Sequence, residues 1–309
     1  MSASRPTYSH DQIASYLDRL QLPPHLHQYD VANLDPPAAL AYLAMLQKHH
    51  LAWIPFENLS LHYSAHHRLC LHPDHLFRKI IADANGRGGY CMENNTLFGT
   101  LLRSLGFTLY PTAGRVLEGA SWNSLGHMVN LVTIGNTTYL VDVGFGADGP
   151  VRPMPLDRSA AIHPHIRPGS ARLDWRNLSE NTDPAQRAWV YECRRNDDSD
   201  WEPVKYAFTG FEFLPQDFAA LSQHLSTSPR TFFTRTIVVE RKILDDQSEV
   251  VGRMTLSGSK MKWRIHGQLT REIVFASEEE RVDALDRYWG ITLGAVEREG
   301  IRGLVSEIR

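Results

Sequence analysis

Cys91 is the residue whose setting most directly suggests chemistry. It lies in Arg87-Gly88-Gly89-Tyr90-Cys91-Met92-Glu93-Asn94-Asn95, after a glycine turn and at the head of an apolar stretch that reads as a helix. A helix N-terminus carries partial positive charge and unpaired N–H groups, so it favours an ionised sulfur, and the thiolate is the nucleophilic form. Such a nucleophile needs a base, and the base needs a third group that holds its tautomer and balances its charge. His127, in Leu125-Gly126-His127-Met128-Val129-Asn130, and Asp142, in Val141-Asp142-Val143-Gly144-Phe145-Gly146, are of the required types.

Two strand-like runs, 128–134 and 138–143, flank Gly135-Asn136 and predict a hairpin. His127 stands eight residues before Gly135 and Asp142 six after Asn136, so a small offset or bulge brings both onto one face as direct or diagonal neighbours. Each residue alone has an ordinary reading, as a buried thiol, a hydrogen-bonded core histidine, or a turn or cap aspartate. Together they predict a Cys-His-Asp acyl-transfer site, and pattern alone leaves that reading level with a structural one. The backbone N–H of Cys91, at the helix start, is the candidate donor to a developing oxyanion. The hairpin cannot bring up Cys91 by itself; the helical part must dock on the sheet.

The elements that would do this follow from periodicity. Ile13, Tyr16, Leu17 and Leu20, then Leu40, Tyr42, Leu43, Leu46 and Leu51 after Pro36-Pro37, then Leu76, Ile80 and Ile81, fall at helical spacing. Leu97, Leu101, Leu102 and Leu105 close the series before Gly106, a helix stop. After Gly106 the period changes to that of strands, with a second strand pair at 190–193 and 201–208. Residues 157–187, rich in Arg, Pro, Ser and His, read as a surface insertion or long loop. Phe218, Leu221 and Leu225 mark a helix, strands follow at 236–244, 250–256, 261–265 and 272–275, and Ser277 with Glu280 makes a capping box for a last helix through Trp289. The expected fold class is α+β: a helical bundle over 1–106 carrying the nucleophile, an antiparallel sheet or small barrel over 107–212 carrying the His and Asp, and a mixed α and β part over 213–309.

Composition narrows the function. A chain of 309 residues with 42% hydrophobic and 22% charged residues is an ordinary globular protein. A formal charge of −3 gives no global attraction to nucleic acid or to an anionic membrane, so neither is an expected partner. Three cysteines, Cys70, Cys91 and Cys193, cannot all pair and show no zinc spacing, which points to free thiols in a reducing compartment. The first six residues lack an apolar signal core, and the cytosol is the default location. His72 and His75 could share a helix face, but no further ligand has confirming spacing, and no metal site is expected.

The blocks Ile54-Pro55-Phe56-Glu57-Asn58-Leu59, Arg87-Gly88-Gly89-Tyr90-Cys91-Met92-Glu93-Asn94, Gly126-His127 and Val141-Asp142-Val143-Gly144-Phe145-Gly146 resemble, in order and approximate spacing, the signature blocks of the arylamine N-acetyltransferases. Leu225-Ser226-Thr227-Ser228-Pro229-Arg230-Thr231-Phe232-Phe233 resembles that family's helix-to-strand segment, so the likeness covers nearly the whole chain. The resemblance implies a helical bundle, a β-barrel and an α/β lid, with a cysteine-protease-like triad of Cys91, His127 and Asp142. It also implies ping-pong transfer of an acyl group, usually acetyl, from coenzyme A to arylamines, arylhydroxylamines or hydrazines. No cofactor would be permanently bound; acetyl-CoA or another acyl-CoA is the donor substrate, and detoxification of aromatic amines is the family's usual role.

Further roles follow from the same likeness. Phe56 and Phe145 would wall the acceptor pocket, and Gly144, Gly146, Thr227, Ser228 and Arg230 would meet the coenzyme. Glu57 and Arg87 read as a structural ion pair holding the cysteine turn. Arg230 departs from the family, which often has a small hydroxyl residue there, and suits a phosphate or an anionic acyl group such as malonyl; propionyl is a further candidate donor. Ala147-Asp148-Gly149 replaces a bulky basic residue that some members place near the acceptor, and the 157–187 insertion suggests a eukaryotic member. The rival readings are a cysteine amidase or hydrolase, which would cleave thioester without amine, and a non-catalytic ligand carrier, in which Cys91 would be unreactive.

Overall fold

The computed structural model describes residues 5–201 and 205–309. Helices α1 (His10–Arg19) and α2 (Pro36–Trp53) begin as their sequences require. Ser9 and Gln12 form a reciprocal capping box on α1, and Asp35 caps α2 ahead of its two prolines. Strand β1 (Phe56–Glu57) then leads to α3 (Pro73–Phe77) and α4 (Cys91–Ser104). The residues at helical spacing converge: Tyr16, Leu17, Leu43, Leu46, Leu76, Leu97, Leu101 and Leu102 share one core cluster with Val132 and Val141. This burial docks the helices on the following sheet, and Gly106, at φ 91, ends the helical run.

That sheet contains β2 (Thr108–Glu118), β3 (Ser121–Ile134), β4 (Thr137–Val141), β5 (Met154–Pro155), β6 (His163–Pro164), β7 (Ser170–Arg176), β8 (Ala188–Arg194) and β9 (Tyr206–Phe208). The order is β5-β4-β3-β2-β9-β8-β7-β6, all antiparallel. Residues from both halves, including Leu131, Leu140, Leu173, Trp189 and Tyr206, meet in one interior cluster, so the sheet is a nearly closed barrel with β5 and β6 as its edges. Of the strand expected over 201–208, residues 202–204 lie outside the described residues, as do residues 1–4 of the N-terminal segment.

The 157–187 segment is not loop throughout: it contains β6 and β7 between irregular stretches. β7 pairs with β8 over seven residues, Ala171 and Leu173 facing the interior. Its outward residues are Arg172, Asp174 and Arg176, whose charges break the apolar signal. The buried Glu192 pairs with Arg172 and Arg176 at 2.6 Å each.

After α5 (Pro215–Thr227) and α6 (Phe232–Arg235), β10 (Val238–Leu244), β11 (Val250–Ser257), β12 (Lys260–Ile265) and β13 (Gln268–Val274) form a second sheet, followed by α7 (Glu278–Trp289) and α8 (Ala295–Glu299). β13 begins four residues before the expected 272, because this edge strand is almost wholly exposed and lacks an inward apolar face. The expected capping box on α7 is half formed. Ser277 Oγ accepts from Glu280 N, but Glu280 Oε2 accepts from Ala276 N. β1, from the helical part, pairs with β10 as a fifth strand. Among the described residues no helix is long and apolar enough to cross a membrane.

Candidate active site

The cysteine turn is held on both sides. Glu57 N donates to Gly89 O at 2.9 Å, and Glu57 Oε1 accepts from Arg87 Nε at 3.0 Å and from Gly88 N at 3.3 Å. Arg87 also reaches Ser60 Oγ at 2.8 Å and Glu297 at 3.2 Å. The Glu57–Arg87 pair is thus in place between β1 and the turn, with Lys79 3.6 Å from the same Glu57 oxygen. Glu93 closes the first turn of α4, accepting from Tyr90 N at 3.1 Å and from Lys79 at 2.8 Å. Cys91 is the first residue of the helix, so its N–H has no acceptor within α4.

The hairpin explains the other two positions. Ile134 opposes Thr137 across Gly135-Asn136 and Asn130 opposes Val141, so Asp142 lies beyond the last pair, level with Val129. His127 is two residues further along the same face, a diagonal neighbour. His127 Nε2 lies 2.7 Å from Asp142 Oδ2. On the other edge of β3 the register against β2 steps from Gly114↔His127 to Arg115↔Leu125, which leaves Gly126 as a bulge. The carbonyl oxygen of Gly126 accepts from Cys91 Sγ at 3.6 Å.

Cys91, His127 and Asp142 are 3%, 2% and 1% exposed. Burial pushes the His127 imidazole toward neutrality. The Asp142 charge and hydrogen bond, with a hydrogen bond to Cys91, overcome it and raise the imidazole pKa to about 10. Burial would likewise raise the Asp142 carboxyl, but His127 first, then Asn95 and Gly144 N–H, hold it below the usual range. With Nε2 engaged by Asp142, Nδ1 is left for the sulfur.

Sequence reasoning missed the residues that steady this pair. Asn95 Nδ2 donates to Asp142 Oδ1 at 2.9 Å and to Met128 O at 2.7 Å, and its Oδ1 accepts from Val143 N at 3.1 Å. Its signal was legible: four residues after Cys91, it shares the helix face that meets the hairpin. Gln47 Nε2 donates to Asp142 O at 3.2 Å, and the Tyr206 ring lies 4.7 Å from the His127 ring. These depend on distant elements and had no local signal.

A cleft of about 1070 Å³ opens over the sulfur between the two sheets and α5. Of the residues expected there, Phe56, Gly144, Phe145, Gly146, Ser228 and Arg230 line it. The Phe145 and His127 rings meet in a T-shaped arrangement with centroids 5.1 Å apart, and the Phe56 ring centroid lies 6.2 Å from that of Phe233. Thr227 does not line the cleft, because its hydroxyl turns back along α5 to donate to Gln223 O at 2.7 Å. Gly144 has a second role. A β-carbon there would sit 2.7 Å from both Cys91 Cα and Cys91 O and 2.6 Å from Asn95 Nδ2, and backbone atoms cannot yield cheaply. Gly144→Ala is expected to shift the cysteine turn away from His127 and lower acyl transfer about 100-fold, the usual cost of misplacing a reacting group by ~1 Å. Far-UV circular dichroism should stay native, and an unchanged rate of Cys91 alkylation would refute this account.

The chain is similar over most of its length to proteins of one family. A family model described as N-acetyltransferase matches residues 39–298. The chain is 36% identical to the N-malonyltransferase FDB2 of Fusarium pseudograminearum (strain CS3096), over 96% of this chain and 93% of that protein. It is 29% identical to the pineal gland isozyme NAT-10 of arylamine N-acetyltransferase from Gallus gallus, over 82% and 88%. The solved structure of Mycobacterium marinum arylamine N-acetyltransferase in complex with CoA superposes with a TM-score of 0.77 at 25% identity, covering 96% of this chain and 99% of that one.

Proposed function

From the premise that this chain belongs to the arylamine N-acetyltransferase family and is an acyltransferase, we propose that it moves an acyl group from coenzyme A to the nitrogen of an aromatic amine through a thioester on Cys91, with malonyl as the preferred group. The observation that carries the reading is the contiguity of Cys91, His127 and Asp142, with Cys91 and His127 lining one cleft and Asp142 behind the imidazole. In the first half-reaction the Cys91 thiolate attacks the thioester carbonyl carbon. The resulting oxyanion collapses, and the coenzyme leaves as a thiol after taking the His127 proton. The Cys91 N–H, at the start of α4, donates to that oxyanion. In the second half-reaction the amine nitrogen attacks the acyl-cysteine carbonyl and passes its proton to His127. The amide departs, and the thiolate–imidazolium pair is restored.

The choice of malonyl rests on two supports. The relative from F. pseudograminearum is named for N-malonyl transfer, and Arg230, which lines the cleft, is a cation suited to a carboxylate. The intact protein should gain one malonyl mass, confined to the Cys91 peptide, after incubation with an equimolar mixture of acetyl-, propionyl- and malonyl-CoA. Arg230→Ala should remove most of that preference. Equal labelling by all three donors would sink the malonyl assignment, and rapid release of free acid without amine would favour a hydrolase.

A further inference from the structure

One face of the second sheet floors the cleft, and a carboxylate on that face has an uncommitted oxygen. Glu240 of β10 stands opposite Phe56 of β1 on one side and Thr255 of β11 on the other, and all three line the cleft. Directly opposed residues share a face, so the carboxylate lies beside the Phe56 ring. Glu240 is 3% exposed. Its Oε1 accepts from Lys242 Nζ at 2.8 Å, while the same ammonium group donates to Gly146 O at 2.8 Å and Ala147 O at 3.0 Å. Lys242 is itself buried, at 1% exposure, and its three donors are all in use. This anchors the loop that carries Phe145 and prevents Glu240 from swinging away. Oε2 of Glu240 has no hydrogen-bond partner among the described residues.

That oxygen opens into the cleft, so the molecule that fills the cleft displaces water from it and must itself donate or leave a desolvated carboxylate oxygen unpaired. We propose that Glu240 is a specificity residue whose Oε2 accepts a hydrogen bond from a second donor, a hydroxyl or amino group, on the ring of the acceptor amine. The preferred acceptors are then aminophenols and phenylenediamines. An aniline with a methyl group in that place leaves the oxygen unpaired, and an aminobenzoate sets two carboxylates against each other. The inference rests on the reading that the acceptor enters this cleft beside Phe56.

The test measures the amine-dependent half-reaction on enzyme already acylated at Cys91, using an isomeric series of aminophenols, the matching toluidines and aminobenzoates. Wild-type enzyme should favour the best aminophenol over its toluidine by about tenfold to a hundredfold in kcat/KM, mainly through KM, as expected for one hydrogen bond to a charged group. Glu240→Gln keeps an oxygen for Lys242 and offers N–H in place of Oε2. It should erase that preference and raise the relative rate with aminobenzoate. No preference in the wild type overturns the proposal whether or not the variant folds, and a preference that survives in Glu240→Gln overturns it as well. The burst of coenzyme A thiol from wild-type enzyme keeps the two readings apart. Its absence removes the Cys91 mechanism, whereas a normal burst with indiscriminate acceptors removes only the role of Glu240.

Discussion

Cys91→Ala is expected to abolish both the burst of free coenzyme A thiol and all amine acylation, a loss on the order of 10⁵ in kcat or more, because a route through a covalent intermediate has no substitute once its nucleophile is gone. Cys91→Ser should be nearly as inactive. A hydroxyl holds its proton far more tightly than a thiol, so His127 cannot form the corresponding ion pair with it. The two other thiols act as internal controls. Burial pushes Cys193 up to about 11, which leaves it protonated at neutral pH, and Cys70 is exposed. Brief iodoacetamide treatment near neutral pH, in a Cys70→Ala background, should therefore place one adduct on Cys91 and remove activity in the same proportion. Retention of more than a trace of transfer by Cys91→Ala would mean that the amine attacks acyl-CoA directly and that the thioester route is wrong.

The parts of this site legible in the sequence are those set by short stretches of chain. A glycine turn before a helix announces Cys91, and a two-residue turn between apolar strands brings His127 and Asp142 to one face with no contribution from the rest of the molecule. The docking of one on the other was inferred from helical apolar stripes, whose residues do share a core cluster with Val132 and Val141 of the hairpin. What stayed hidden depends on residues brought together from far along the chain. Lys242 meets the carbonyl of Gly146 across 96 positions, through a sheet that borrows β1 from the helical part, and no local period announces such a contact. β7 was hidden for a different reason. Its outward arginines are neutralised by Glu192 of the neighbouring strand, so a stretch that reads as polar loop is half of a paired surface.

Asp142→Asn separates the electrostatic role of the carboxylate from its packing. The amide has nearly the same shape and can keep Oδ1 for Asn95 and Gly144 N–H, so the loop geometry should survive. The charge does not survive, and the His127 balance then changes sign. Burial lowers the imidazole pKa, the carboxylate is the main group that outweighs it, and in the variant burial prevails and leaves His127 neutral at pH 7. A neutral imidazole cannot form an ion pair with the thiolate, and a side-chain amide can hold the wrong tautomer, so acylation of Cys91 should fall about 10³- to 10⁴-fold. The pH dependence should change with it. In the wild type, His127 is raised from 6.5 to about 10, so its contribution to folding stability is fully present below 6.5 and is lost as pH climbs through 10. Asp142 is lowered, so its contribution is present above 3.8 and is lost as pH falls through its depressed value. Between those limits His127 stays charged in the wild type, so its ring-proton NMR shifts should be constant from pH 6.5 to about 9. In the variant the ring should show the shifts of a neutral imidazole at pH 7. NMR of the two proteins across that range decides the matter, and a charged His127 ring in the variant would show that Asp142 acts only by orienting it.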